Sequence, residues 1–267
     1  MFEGVYTALV TPFKNDRIDY TALEGIIEAQ VEGGVDGVVP VGTTGESPTL
    51  SFEEHKEYIQ RVVALVNKRV KVIAGTGSNS TREAVHLSSA AQEYGVDGVL
   101  LVNPYYNKPP QRGLIAHFET IAKSITVPAI LYNIPGRTGI NFMPDSILEL
   151  LGRAPNIVAI KEATGDIGQM MRTIELCGDR LTLLSGDDNL LLPVLAIGGK
   201  GVISVLSNVL PSDIKRIVTL FNEGKIGESR ALFYKILPLC RAMFIETNPI
   251  PVKAAMEMMG RCGGDLR

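Results

Sequence analysis

The 267-residue chain holds only three cysteines and three histidines. Cys177, Cys240 and Cys262 are odd in number, far apart and without a C-x-x-C pair. A disulfide scaffold is therefore excluded, and reduced thiols are expected. His55, His86 and His117 each stand alone in a helix-like segment, so no metal site is read from them and ordinary surface or packing roles are expected. An excess of positive charge is also lacking. Lys+Arg is 26 against 29 Asp+Glu, a net of −3, which leaves no electrostatic footprint for nucleic acid. The uncharged stretches, such as 125–136 and 201–212, fall well short of the roughly 20 residues a membrane-spanning helix needs. No apolar leader core follows Met1, because Glu3 comes at once and Lys14-Asn15-Asp16-Arg17 soon after. A soluble cytoplasmic protein is expected.

What remains is ordinary globular composition, 45% hydrophobic and 21% charged. Short β-rich apolar runs recur at 4–10, 37–41, 70–74, 98–102, 129–132, 157–161, 181–185 and 201–205. Most are continuous Val/Ile/Leu/Ala runs rather than alternating ones, as strands buried on both faces require. The stretches between them have helical spacing. Phe52, Ile59, Val62, Val63 and Val66 share one predicted face. Ser51-x-x-Glu54 and Ser80-x-x-Glu83 read as capping boxes, Pro211 as a first helical residue, and Gly33-Gly34, Gly95, Gly152, Gly178 and Gly224 as helix stops. Eight strands alternating with helices predict an α/β (β/α)8 TIM barrel. A doubly wound open sheet is the alternative, but the first run leads into Thr11-Pro12-Phe13 with no G-x-G-x-x-G turn. Further helical segments at 227–245 and 249–260 follow the eighth helix. The expected organisation is a catalytic barrel over 1–223 and a small helical extension over 224–267.

In such a barrel the site lies at the C-terminal ends of the strands. The polar residues there are Gly42-Thr43-Thr44-Gly45-Glu46-Ser47, Asn103-Pro104-Tyr105-Tyr106-Asn107, Tyr132-Asn133, Arg137, Lys161-Glu162 and Gly186-Asp187-Asp188. Lys161 is the most informative. It ends the run Ile157-Val158-Ala159-Ile160, with 157, 159 and 161 on one face. Burial disfavours an ammonium, and an uncharged amine condenses with a ketone or aldehyde to an imine. The protonated imine is an electron sink through which the adjacent carbon loses a proton and attacks an aldehyde. No metal or cofactor is then required. The competing reading of Lys161 is a strand-end lysine paired with Glu162.

The neighbouring residues admit two readings each. Tyr132 can shuttle protons or simply fill the barrel. Thr43 and Thr44 can hold a small carboxylate, or belong to a turn shaped by Gly42 and Gly45. Arg137 can take a carboxylate bidentately or lie solvated. Tyr105 and Tyr106 sit on a Pro-rich loop where both rings cannot point inward, which fits a subunit interface.

Taken together these residues resemble the pyruvate-dependent class I aldolase superfamily, and within it the dihydrodipicolinate synthase (4-hydroxy-tetrahydrodipicolinate synthase) family. The likeness runs over the whole chain. It includes Thr11-Pro12-Phe13, the block 41–47, Ala74-Gly75-Thr76-Gly77, Pro104-Tyr105-Tyr106-Asn107, Leu131-Tyr132-Asn133, Arg137-Thr138-Gly139, Ile160-Lys161-Glu162-Ala163, Ser185-Gly186-Asp187-Asp188, the block 201–205 and the block 246–253. The resemblance implies a lyase that condenses pyruvate with L-aspartate 4-semialdehyde on the way to diaminopimelate and lysine. It implies that Lys161 forms the Schiff base, and that Thr43, Tyr132 and Tyr106 form a proton relay, Tyr106 reaching in from a neighbouring subunit. Thr44 would bind the pyruvate carboxylate, Arg137 the semialdehyde carboxylate, and the Ile203 backbone would lie beside pyruvate. It further implies a homotetramer, a dimer of dimers. In lysine-inhibited members the effector site matches Ser47, Pro48, Phe52, His55, Asn79, Glu83 and Tyr105. Pro48 and Phe52 depart from the pattern, since sensitive bacterial members often carry a small residue and a histidine there. Family members usually continue for about one further helix past the position of Arg267.

Two other functions compete. A sialic acid lyase or 2-keto-3-deoxy sugar-acid aldolase shares the imine chemistry, but generally lacks an arginine equivalent to Arg137. A non-catalytic barrel that binds a small carboxylate has no need of Lys161, Tyr132 and Thr43 together. A phosphate-binding isomerase is weaker still, because Gly198-Gly199 precedes the eighth strand run rather than following it.

Overall fold

The buried apolar runs form strands because their β-branched residues suit a pleated surface covered on both faces. In the computed structural model, which describes residues 2–267, the strands are β1 (Gly4–Ala8), β2 (Phe13–Lys14), β3 (Arg17–Ile18), β4 (Gly37–Val39), β5 (Lys71–Gly75), β6 (Gly98–Val102), β7 (Ala129–Asn133), β8 (Ile157–Glu162), β9 (Thr182–Ser185) and β10 (Gly201–Ser204). Eight of them close a parallel barrel in the order β1-β10-β9-β8-β7-β6-β5-β4. β1, β4, β7, β9 and β10 are buried along their whole length. The fold is the expected (β/α)8 TIM barrel. The two-residue pair β2–β3 is an antiparallel hairpin that the sequence pattern did not single out.

The helices are α1 (Tyr20–Glu32), α2 (Phe52–Val66), α3 (Thr81–Glu93), α4 (Gln111–Lys123), α5 (Pro135–Thr138), α6 (Pro144–Leu151), α7 (Ile167–Cys177), α8 (Leu191–Ala196), α9 (Pro211–Asn222), α10 (Ile226–Ala242) and α11 (Ile250–Met258). The Ser51/Glu54 capping box is complete at the start of α2. At α3 only half of it forms. Ser80 accepts from the Glu83 amide, while the Glu83 carboxylate is taken by the Ser78 hydroxyl at 2.7 Å. The buried face of α2 is His55, Tyr58, Ile59, Val62 and Val66, which keeps Ile59, Val62 and Val66 of the expected face, while Val63 is half-buried and Phe52 is exposed. Position 52 is one heptad before Ile59 and so lies on nearly the same side; its exposure comes from its place as the first residue of α2, at the edge of the packed face.

The chain divides into two compact units, one of Ile73–Val202 with the described residues 2–3 and the other of Gly4–Val72 with Ile203–Arg267. In the first, Phe118 stacks on Phe142 at 5.4 Å, and Asn156 Nδ2 donates to the Ala122 carbonyl. In the second, Gln30 accepts from the Thr7 hydroxyl and donates to the Ser207 carbonyl, and Asn208 donates to the Ala8 carbonyl. These bonds satisfy buried polar groups. Among the described residues no helix is long and apolar enough to cross a membrane.

Candidate active site

In the unit Ile73–Val202, the central feature comes from strand register. Ala129 pairs with Ile157, but Ile130 pairs with Ala159, so the register slips by one residue there. The slip continues, so Tyr132 lies opposite Lys161 and Asn133 opposite Glu162. Residues opposite each other on neighbouring strands share a face. Lys161 and Tyr132 are each 5% exposed, and Lys161 Nζ lies 4.2 Å from the Tyr132 ring centroid. Among the described residues no carboxylate forms an ion pair with Lys161. Glu162, the partner in the competing reading, is on the other face and fully buried. Its carboxylate accepts from Asn133 Nδ2 at 3.2 Å and from the Thr164 amide at 3.0 Å. Burial pushes the Glu162 carboxyl up to about 7, and those hydrogen bonds hold it lower than burial alone would.

An amide chain extends from Glu162. Asn103 Nδ2 donates to Asn133 Oδ1 at 2.9 Å, Asn133 Nδ2 donates to Asn141 Oδ1 at 2.8 Å, and Asn141 and Gln169 exchange two bonds. Asn103 and Asn133 are legible in the sequence as polar residues at strand ends, but their network is not, because bonds such as Asn103–Asn133 and Asn141–Gln169 join residues 30 and 28 positions apart. On the far side of Lys161, Gly186 follows β9, and its amide donates to the Glu162 carbonyl at 2.7 Å. A β-carbon on Gly186 would stand 3.2 Å from Lys161 Cε and 2.6 Å from Ala163 Cβ. Only glycine leaves that approach open. Burial raises the Asp187 carboxyl, and the nearby Lys161 opposes that rise.

In the unit of Gly4–Val72 and Ile203–Arg267, residues 42–47 make a tight turn. The Gly45 amide donates to the Gly42 carbonyl, the Glu46 amide to the Thr43 carbonyl at 3.1 Å, and the Thr11 hydroxyl to the Gly45 carbonyl at 2.7 Å. Thr44 is buried, and its Oγ1 accepts from Asn248 Nδ2 at 3.0 Å. Glu46 takes left-handed backbone angles, φ 57° and ψ 37°. Its carboxylate accepts from Lys253 Nζ at 2.6 Å, and Lys253 is wholly buried over the Phe13 ring. Burial lowers the Lys253 ammonium, and Glu46 opposes that shift. Taking two charges out of water costs several kcal/mol per ion, which their mutual attraction must offset. The sequence signal for this pair was a single lysine in the apolar stretch Ile250-Pro251-Val252-Lys253-Ala254-Ala255.

The remaining expected site residues are placed as follows. Tyr106 is 90% exposed on a left-handed backbone, φ 70°. Arg137 is exposed in the short helix α5. Ile203 is fully buried in β10. Of the residues matched to an effector site, Asn79 and Tyr105 are drawn together by Asn107, which donates from its side chain to the Asn79 carbonyl and from its amide to the Tyr105 carbonyl. Glu83 accepts from Ser78 close by in sequence. His55 is buried in α2 and Ser47 is partly exposed. Among the described residues no group of three His, Cys, Asp or Glu side chains could hold a metal ion.

A closed parallel (β/α)8 barrel with a buried lysine at the C-terminal end of β8, beside Tyr132 and with no carboxylate ion-paired to it among the described residues, defines a TIM-barrel protein with a lysine–tyrosine site at a strand end. The sequence profile of the dihydrodipicolinate synthetase family matches residues 1–267, and the chain belongs to that family. It is 55% identical to the 4-hydroxy-tetrahydrodipicolinate synthase of Leptospira biflexa serovar Patoc, over 100% of this chain and 90% of that protein. It is 52% identical to the enzyme of the same name from Geobacter sp. strain M21, over 100% of this chain and 92% of that one. The structure of 4-hydroxy-tetrahydrodipicolinate synthase from Methylacidiphilum fumariolicum SolV superposes with a TM-score of 0.99 at 49% identity. That match covers 100% of this chain and 89% of the other.

Proposed function

We propose that this chain is a 4-hydroxy-tetrahydrodipicolinate synthase, a lyase that condenses pyruvate with L-aspartate 4-semialdehyde in diaminopimelate and lysine biosynthesis. Family membership over the whole chain supports that activity. The observation that carries the chemistry is the Lys161 amine, 5% exposed, held against the Tyr132 ring with no carboxylate paired to it.

The Lys161 amine adds to the keto carbon of pyruvate, water leaves, and a protonated imine remains. The adjacent methyl then loses a proton, and the resulting enamine attacks the aldehyde carbon of the second substrate. Tyr132, Thr43 and Tyr106 relay protons in these steps. Thr44 holds the pyruvate carboxylate, the Ile203 backbone lines the keto acid, and Arg137 receives the semialdehyde carboxylate. A sugar-acid aldolase and a non-catalytic carboxylate binder are not favoured by this family membership.

The same reading extends to assembly and regulation. The strongly exposed Tyr106 ring supports a homotetramer in which a neighbouring subunit buries it. The proximity of Asn79, Tyr105 and Glu83 to one loop pair supports an L-lysine site that also uses Ser47 and His55. Residues 1–223 form the catalytic barrel and 224–267 its helical extension. The two buried cysteines, Cys177 and Cys240, support a reduced, cytoplasmic setting.

A coupled assay with pyruvate and L-aspartate 4-semialdehyde, run beside N-acetylneuraminate cleavage, tests the reading. Turnover of the first pair alone is expected. Cleavage of the sugar acid without condensation would transfer the chain to the other branch of imine chemistry.

A further inference from the structure

Thr44 Oγ1 has one hydrogen and two lone pairs to place. Asn248 Nδ2 occupies one lone pair at 3.0 Å. Among the described residues the Thr44 hydroxyl donates to no protein atom, although Thr44 is only 2% exposed. That hydrogen is available to a group that is not part of the chain. Nearby, Lys253 Nζ meets Glu46 Oε1 at 2.6 Å, and the Glu46 amide donates to the Thr43 carbonyl. The segment that opens α11 thus grips the turn at both threonines, one through its hydroxyl and the other through Glu46. A buried ion pair is a poor way to fill space, since apolar residues of similar volume are often as stable. Its advantage is direction, because a charge-assisted bond fixes where the Glu46 backbone sits.

We propose that Asn248 and the Lys253–Glu46 pair are positioning residues for the Thr43-Thr44 turn, with Asn248 orienting the Thr44 hydroxyl as a donor to the keto acid carboxylate. This rests on the proposed role of Thr44 in holding pyruvate. In that arrangement Asn248 reaches the keto acid through Thr44, so its effect on substrate is indirect and depends on Thr44 being present.

Asn248→Asp tests the orientation. A carboxylate can only accept, so it draws the Thr44 hydrogen to itself. The expected result is a pyruvate KM raised about tenfold, the worth of roughly one lost hydrogen bond, with a smaller change in kcat. Asn248→Ala serves as a second variant, with thermal melting to report folding. Thr44→Val should raise the pyruvate KM by a similar factor, and adding Asn248→Asp to Thr44→Val should change it little more. The paired variant Glu46→Gln/Lys253→Met removes both buried charges together and is expected to raise the pyruvate KM while the chain still melts cooperatively. If Thr44→Val weakens pyruvate but folded Asn248 variants do not, or if the two effects multiply, the positioning role is overturned. A folded paired variant with wild-type KM overturns it for Lys253 and Glu46. An unchanged KM in Thr44→Val removes the carboxylate role of Thr44 itself, and the inference falls with it.

Discussion

Lys161 and Tyr132 are opposite each other on adjacent parallel strands, with the lysine nitrogen 4.2 Å from the centre of the phenol ring. A ring face attracts an ammonium by its quadrupole, worth about 0.5–2 kcal/mol, and forms no ion pair that an incoming keto acid would have to displace. That relationship suits the nucleophile of the proposed mechanism; a structural lysine would be met by a carboxylate instead.

Borohydride added together with pyruvate should leave one reduced three-carbon adduct on the protein, and peptide mapping should find it at Lys161. Lys161→Ala should melt like the parent and show no turnover and no adduct. A parent protein that gains no mass would end the imine mechanism.

Arg137 is exposed in α5, on the loop that follows β7. Arg137→Ala should leave the pyruvate adduct intact and raise the KM for L-aspartate 4-semialdehyde by roughly tenfold or more, as expected for loss of a charged hydrogen bond. Steady-state kinetics with each substrate varied in turn checks this. An unchanged semialdehyde KM would refute the role.

Glu162 links pH to stability. Its carboxyl is raised from an ordinary 4.5 to about 7 by burial. Between those values the folded chain keeps a proton that the unfolded chain has released. The stability this contributes is therefore complete below the unfolded value and lost as pH rises through about 7, an amount of about 3 kcal/mol. Urea melts from pH 4.5 to 8 should show that decline in the parent, and a flatter profile in Glu162→Gln, whose amide can still bond to Asn133. A parallel slope in both proteins would assign the pH dependence elsewhere.

Gly186→Ala brings a methyl group to within 3.2 Å of Lys161 Cε and 2.6 Å of Ala163 Cβ. The strands must shift to admit it, at about 1–3 kcal/mol. A lower melting temperature and slower borohydride-trapped adduct formation are expected together. Wild-type trapping rates in a folded variant would show that the space beside the lysine is not needed.

Much of the architecture was legible from local pattern. The eight apolar runs became the eight barrel strands with shifts of one or two residues, the glycines at 33, 152 and 178 cap α1, α6 and α7, and Pro211 opens α9. Lys161 was recognisable as the one charge completing an apolar run. These features are set by near neighbours in the chain, through steric preference and the burial of alternating or continuous apolar surface. Phe52 shows the limit of that logic, since it lies on nearly the same side of α2 as Ile59 and is exposed through its place at the edge of the packed face.

The pairing of Lys161 with Tyr132 was decided by tertiary structure. Without the one-residue slip at Ala129/Ile130, an unbroken ladder from Ala129 and Ile157 would set Tyr132 against Ile160. Nothing in either run marks that slip, because register is settled by how two strands meet. The contacts of Asn248 with Thr44 and of Lys253 with Glu46 span 204 and 207 residues of sequence. Composition and spacing determined which side chains this chain can use. Their partners depended on the folded chain returning its last helix to a turn made near its start, a distance over which local preference carries no information.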